Sequence, residues 1–409
     1  KREQICDNCG STMVKVGEEF VRTEVQFIPA KLKVIDHYRE TYECRSCRKN
    51  GTPYMEKAPV PYPPVLHSLA SASTIAWLIH QKFELSIPLY RQEKEWEALG
   101  LRLSRATMSN WLLVVYRDWL VHIVHRLKLE LLKQRYLHID ETHVQVLKEP
   151  GRKNTSDSYM WVYCSIRDAV NPIRYFEYQP GRSGKYPEAF LREYEGYIHT
   201  DAYSGYNAVS GVKRCLCYTH LRRAFVDALP KDIHNSEASK PAEAILRLNQ
   251  LFNIESELEA LPPDQKKKER LIRERPLLEA FWSWAEKSAI GELPKSKLSK
   301  AFHYALNNRE GFWNYLEDGN CSISNSLAEN CIRPFVIGRK NWLFSGSPKG
   351  AEASAGIYTL VETAKANGLA PMKYIKYILS DMPGSAFLEH PEYLDDYLPW
   401  NPLVKEFCR

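Results

Sequence analysis

No stretch of this 409-residue sequence is both apolar enough and long enough to cross a bilayer. The longest apolar run, around Leu66 to Ile79, is broken by His67 and several serines. A secretory signal is missing too, so the ten cysteines read as reduced thiols in a cytoplasmic setting, not as a disulfide framework. Charge of one sign is scarce: 56 Lys+Arg against 50 Asp+Glu leave a formal net charge of +6. Such mild basicity permits a nucleic-acid partner without demanding one. What is present is ample for a core, with 44% hydrophobic residues and 12% aromatics. A chain of this length divides into more than one domain. It opens on Lys1 rather than Met, so a trimmed or processed start is expected, which leaves room for a further N-terminal piece.

The cysteines are patterned. Cys6-x2-Cys9 and Cys44-x2-Cys47 form two knuckles, and four thiolates so paired suit tetrahedral Zn²⁺. Gly10 follows the first knuckle, where a tight turn needs a permissive backbone. Between the knuckles, residues 20–44 place β-branched and aromatic side chains at roughly alternating positions. That alternation predicts a small antiparallel sheet, hence a zinc ribbon over residues 1–60.

A Pro-rich linker, KAPVPYPPV, leads into a helical region over 61–133. One helix ends near Gly100, and Ser104 caps the next, where Met108, Trp111, Leu112 and Val115 recur at helical spacing. Helix, short Gly-containing turn, helix is the helix-turn-helix pattern. Arg105, Thr107, Ser109 and Asn110, near the start of the second helix, are the candidate readers of a DNA major groove. An ordinary helical hairpin with a solvated polar face is the alternative.

From Tyr136 the texture changes to strands. Residues 135–147, 158–168 and 171–181 read as three strands, followed by a helix, a strand ending near Asp201, and a strand running into a helix. This order matches an α/β, RNase H-like core, expected as a first part over 134–230. Strand alternation puts His138, Asp140 and Thr142 on one face, with Ile139 and Glu141 on the other. Asp140 is therefore the expected ligand and Glu141 a supporting partner. Residues 231–318 show helical periodicity throughout and form an all-helical segment. The run Lys266-Lys267-Lys268 reads as a solvated face, with phosphate contact as the alternative. Trp282 and Trp284 read as core, with base-stacking wedges as the alternative. A second part of the core, over 319–385, carries Glu329 in a helix, and a tail fills 386–409. Two Asp at neighbouring strand ends and a helical Glu suit a pair of Mg²⁺ or Mn²⁺ ions. The cations Arg333, Arg339, Lys340 and Lys349 follow Glu329 and are expected to hold phosphates.

Five stretches carry a resemblance: Asp140-Glu141-Thr142, DAYSGY at 201–206, NSLAENCIRP at 325–334, the long GRKNW…NGL stretch at 338–369, and LPWN at 398–401. Together with the N-terminal cysteines they resemble the IS sixty-six family of bacterial insertion-sequence transposases. The resemblance implies a DDE transposase whose core is interrupted by the helical segment, with the triad on Asp140, Asp201 and Glu329. It implies Mg²⁺-dependent cutting at transposon ends and joining of 3′-hydroxyls to target DNA, by at least a homodimer, with accessory proteins of the same element. Where the family usually carries an acidic residue and paired asparagines before the Glu, this chain has Ser324, Asn325 and Ser326. Cys217-x2-His220 is similar to an element seen in several DDE transposases; a buried Cys and a helix-start His are the alternative. The rival readings are a nuclease-only enzyme of the same fold and a catalytically inactive DNA-binding protein derived from a transposase.

Overall fold

The structure is a computed structural model, and it describes residues 4–27, 30–230 and 239–409. The expected start of the all-helical segment at 231 therefore lies outside the described residues. Two units are separable, Lys1–Tyr38 and Arg39–Arg409.

In the first unit the Cys6-x2-Cys9 knuckle is a tight turn. The Gly10 amide donates to the Cys6 carbonyl at 2.8 Å, and the Cys6 amide to the Ser11 carbonyl at 2.9 Å. Gly10 has φ +74°, a conformation that a side chain resists. Ile5 and Thr12 close the turn as an isolated antiparallel bridge. The sheet expected between the knuckles is not found among the described residues, where Met13 to Arg39 carries no strand. Val14, Val16, Phe20, Val21, Val25 and Phe27 are exposed, so the alternation there has no partner strand to bury its apolar face.

In the second unit a two-stranded ribbon, β1 (Thr41–Glu43) with β2 (Met55–Lys57), flanks the second knuckle. Between its strands Cys44 precedes a short helix, Arg45–Lys49. Helices Ala72–Ile79, Leu89–Ala98, Arg105–Val115 and Val121–Leu132 follow. The Leu89–Ala98 helix stops just before Gly100 at φ +90°, and Ser104 caps the next by accepting from the Thr107 amide at 3.1 Å.

The main sheet contains β3 (Tyr136–Val146), β4 (Asp157–Ser165), β5 (Arg174–Gln179), β6 (Gly196–Thr200), β7 (Val212–Leu216) and β8 (Phe344–Ser345). Its order is β5-β4-β3-β6-β7, with β8 also on β3. β3, β4 and β5 form an antiparallel meander; β6, β7 and β8 join in parallel. The edge strand β5 is covered by the Pro348–Ala366 helix. Thr359 and Thr363 hydroxyls accept from the Phe176 and Arg174 amides at 2.8 and 3.1 Å, satisfying an edge that would otherwise invite pairing. That helix also passes close to Tyr116: a Cβ on Gly356 would sit 2.1 Å from the Tyr116 ring.

Two hydrophobic cores result among the described residues. One lies around the meander and its covering helices. The other joins β7 and the Tyr218–Val226 helix to helices Lys240–Glu257, Arg275–Ala289 and Lys297–Asn307. Trp282 is fully buried in it, so it is core and not an exposed wedge. Lys267 and Lys268 are exposed, whereas Lys266 pairs with Glu255 at 3.2 Å. Arg270 is fully buried; its fork meets Glu255 at 2.5 and 2.8 Å and the Tyr315, Asp318 and Cys321 carbonyls at 3.1, 3.1 and 2.8 Å. A buried guanidinium so fully satisfied ties the helices to the segment that enters the Glu329 helix.

Candidate metal centre

Register brings the two aspartates side by side. His138 on β3 is opposite His199 on the parallel strand β6. Two residues further on, Asp140, still inside β3 opposite Val162 of β4, is level with Asp201, whose strand has just ended. Asp201 lies just past the end of β6, and its Oδ1 accepts from the Tyr203 amide at 3.0 Å.

The third carboxylate comes from the helix Ser326–Trp342, which carries Glu329 in its first turn. Asn325, buried at the start of that helix, fixes it to β3. Its side-chain amide donates to the Ile139 carbonyl at 2.8 Å, and its Oδ1 lies 3.0 Å from His138 Nδ1. Further along, Arg339 donates to the Thr142 hydroxyl at 3.2 Å. The face of β3 carrying His138, Asp140 and Thr142 is thus the face that meets this helix.

Asp140 is half-buried and accepts from the Glu141 amide at 2.9 Å. Burial and the charges of Glu141, Asp201 and Glu329 push its carboxyl up to about 7. Glu141 is differently served. Arg182 donates to it from Nε at 2.7 Å and pairs through Nη2 at 2.6 Å, and the Tyr206 hydroxyl donates to its other oxygen. Burial still raises the Glu141 carboxyl, against the pull of these partners. Arg182 Nη2 also lies 3.8 Å from Asp201, and its guanidinium sits 4.0 Å over the Tyr203 ring. A cavity of about 340 Å³ opens beside this network, lined by Arg182, Asp201, Tyr203, His220, Arg223 and Tyr304 among others.

On the other flank, Cys217, His220 and Glu329 place their donor atoms within 4.8 Å of one another. His220 Nδ1 lies 3.7 Å from Glu329 Oε1, and neither atom makes a hydrogen bond. The Asn325 amide donates to Cys217 Sγ at 3.1 Å. Burial acts to raise the thiol, but contact with His220 and this amide lowers it on balance. Contact with Cys217 raises His220, opposed by burial and aided by the Glu329 and Asp201 charges.

The donor set fits hard divalent cations. Asp140, Asp201 and Glu329 offer oxygen only, which suits Mg²⁺ or Mn²⁺. Crowded carboxylates that push the Asp140 carboxyl up are what a cation relieves. The three are not among the tight three-donor groups found in the described residues.

Of the other expected residues, Arg105, Thr107, Ser109 and Asn110 are exposed on one helix, while Met108 between them is buried. Arg333, Lys340 and Lys349 are exposed and Arg339 is half-buried. Cys6 and Cys9 face each other in the first unit, where hydrogen bonds from Ser11 and Cys6 lower the Cys9 thiol. Cys44 and Cys47 do so in the second unit, where Cys47 and Ser46 lower Cys44. Arg182, Tyr206 and Asn325 were not singled out as ligands or partners by sequence reasoning, although Tyr206 and Asn325 lie within the motif stretches.

Residues 67–353 match the family described as Transposase IS66 family, and residues 3–48 match the zinc-finger binding domain of transposase IS66. Relatives from Sinorhizobium fredii cover the chain almost end to end. One named "Uncharacterized protein y4hP" is 27% identical over 417 residues, 97% of this chain and 73% of its own length. Another, "Uncharacterized protein y4qI", is 28% identical over 419 residues, with the same coverage of each chain.

Proposed function

Because the chain belongs to the Transposase IS66 family, we propose that it is a DDE-type DNA transposase with an RNase H-like core, built around Asp140, Asp201 and Glu329. The reading is supported above all by the β3–β6 register, which levels Asp140 with Asp201 where Glu329 also acts on Asp140. These three carboxylates would hold the divalent cations. Mg²⁺ bound there supplies activation of a water or 3′-hydroxyl and charge stabilisation at the phosphodiester.

The rest is work for the chain. Asn325 sets the helix that carries Glu329 against β3. Arg182 keeps Glu141 neutralised and its guanidinium beside Asp201, so that Glu141 supports the centre without entering it. Arg333, Arg339, Lys340 and Lys349 hold backbone phosphates, and Arg105, Thr107, Ser109 and Asn110 read element ends in the major groove. Cys6, Cys9, Cys44 and Cys47 hold one structural Zn²⁺. The helices from Lys240 to Trp313 interrupt the core between Asp201 and Glu329. Two ends must be joined together, which calls for at least two copies on DNA, with accessory proteins of the element assisting.

The test is incubation of purified full-length protein with duplex carrying the element's terminal repeat, with Mg²⁺ or with EDTA. Cleavage at the repeat boundary and joining to a target plasmid, both lost in EDTA and in Asp201→Asn, are the expected results. Binding without either reaction in any divalent metal would instead favour an inactive DNA-binding derivative.

A further inference from the structure

Two clusters in the described residues bring a histidine and sulfur together tightly enough to grip one ion. The deeper one, His199 with Cys215 and Cys321, has no nitrogen to offer. His199 Nδ1 faces the Leu137 carbonyl at 3.2 Å, and Nε2 accepts from the Ser322 amide at 2.9 Å. The second, Cys217 with His220 and Glu329, differs on this point. His220 Nδ1 and Glu329 Oε1 are both buried atoms that form no hydrogen bond, and they face each other at 3.7 Å.

We infer that Cys217, His220 and Glu329 form a separate thiophilic metal site that captures Zn²⁺ and draws Glu329 away from the carboxylate centre. Thiolate, imidazole and carboxylate are a donor set for zinc, with a fourth position left to water. Tetrahedral bond lengths put such nitrogen and oxygen donors about 3.4 Å apart. The observed 3.7 Å needs a shift of only a few tenths of an ångström. Regular elements hold the three: Cys217 joins β7 to the following helix at its N-cap, His220 is in the first turn of that helix, and Glu329 is in the first turn of another. The Asn325 amide already donates to Cys217 Sγ, the outer hydrogen bond that a metal-held sulfur keeps. Binding replaces the Cys217 S–H bond with a sulfur–zinc bond, and the proton leaves to solvent. Mg²⁺, which prefers oxygen donors, does not compete for this set. The capture of Zn²⁺ stands on these three residues alone; its effect on Glu329 rests on the transposase reading above.

The probe is Co²⁺, titrated into full-length protein already carrying one equivalent of Zn²⁺. One further ion per chain is expected, with thiolate-to-cobalt absorption that added Zn²⁺ abolishes. Cys217→Ser and His220→Gln should each weaken it at least about tenfold, as loss of a direct ligand costs no less than loss of a supporting one. Circular dichroism checks that each variant is folded, and either folded variant suffices for the comparison. In the cleavage assay, Zn²⁺ well below the Mg²⁺ concentration should inhibit the parent, and Cys217→Ser should need roughly tenfold more. Absence of the absorption, or an unchanged Co²⁺ titration in a folded variant, overturns the site. Co²⁺ binding as expected, with cleavage indifferent to Zn²⁺, overturns the withdrawal of Glu329. If the parent never cleaves DNA, the transposase reading fails while the Co²⁺ titration still decides this site.

Discussion

Asp140→Asn should make the cation-free protein more stable while removing its chemistry. The parent carboxyl is pushed from an ordinary 3.8 to about 7 by burial and by three neighbouring carboxylates. That is about three units at about 1.4 kcal/mol each, a ceiling near 4 kcal/mol for the strain of ionising it in place. The site is half open, so screening reduces this to about 2 kcal/mol. The direction with pH follows from the raised value. Below pH 4 both folded and unfolded forms carry the proton and there is no penalty. From about pH 4 to 7 the unfolded chain ionises first, so the parent loses stability as pH rises; above 7 the loss is complete. Asparagine keeps the acceptor for the Glu141 amide and carries no charge. Urea unfolding in EDTA should therefore show the variant about 2 kcal/mol more stable at pH 8, with the gap closing toward pH 4. Mg²⁺ should narrow the gap at pH 8 by binding the folded parent. A variant no more stable than the parent at pH 8, or a gap indifferent to pH, would refute the reasoning.

Three further outcomes are expected. Purified protein should carry one tightly held Zn²⁺, lost with Cys6→Ser and Cys9→Ser together, as read by metal analysis after gel filtration; an unchanged zinc content would sink the four-cysteine assignment. Arg105→Ala and Asn110→Ala should each weaken binding to element ends by about 1–3 kcal/mol and to random duplex by less, measured by fluorescence anisotropy at fixed salt; equal losses on both would mean phosphate contact instead of base reading. Asn325→Ala should cut strand cleavage while leaving end binding intact, because it frees the Glu329 helix from the Ile139 carbonyl and His138; full activity would mean that the helix is held in place by other contacts.

How much of this was legible in the sequence depends on distance along the chain. The β3 alternation was readable because its period is local: His138, Asp140 and Thr142 do share the face that meets the Glu329 helix. Ser104 as a cap and Gly100 as a stop were readable for the same reason. Arg182 was not, since its partner Glu141 lies 41 residues away and nothing in PGRSG announces an ion pair. Asn325 reaches 186 residues back to Ile139, so its motif could be seen while its task could not. The Cys217 and His220 pair lacked a third donor until folding brought Glu329 beside it. The alternation over residues 20–44 misled over most of its length because period two reports only readiness to pair; among the described residues only its end, Thr41–Glu43, finds a partner strand.

The central assignment is that Glu329, and not Glu141, completes the centre with Asp140 and Asp201. The most direct measurement compares Glu329→Gln with Glu141→Gln on labelled element-end DNA in Mg²⁺, each first confirmed to bind that DNA like the parent. Glu329→Gln should lose cleavage by several orders of magnitude, because a ligand charge is removed from the reacting site. Glu141→Gln should retain measurable cleavage, since Arg182 and Tyr206 already occupy the side chain it replaces. Normal cleavage by Glu329→Gln alongside an inactive Glu141→Gln would contradict the assignment and move the third ligand onto β3.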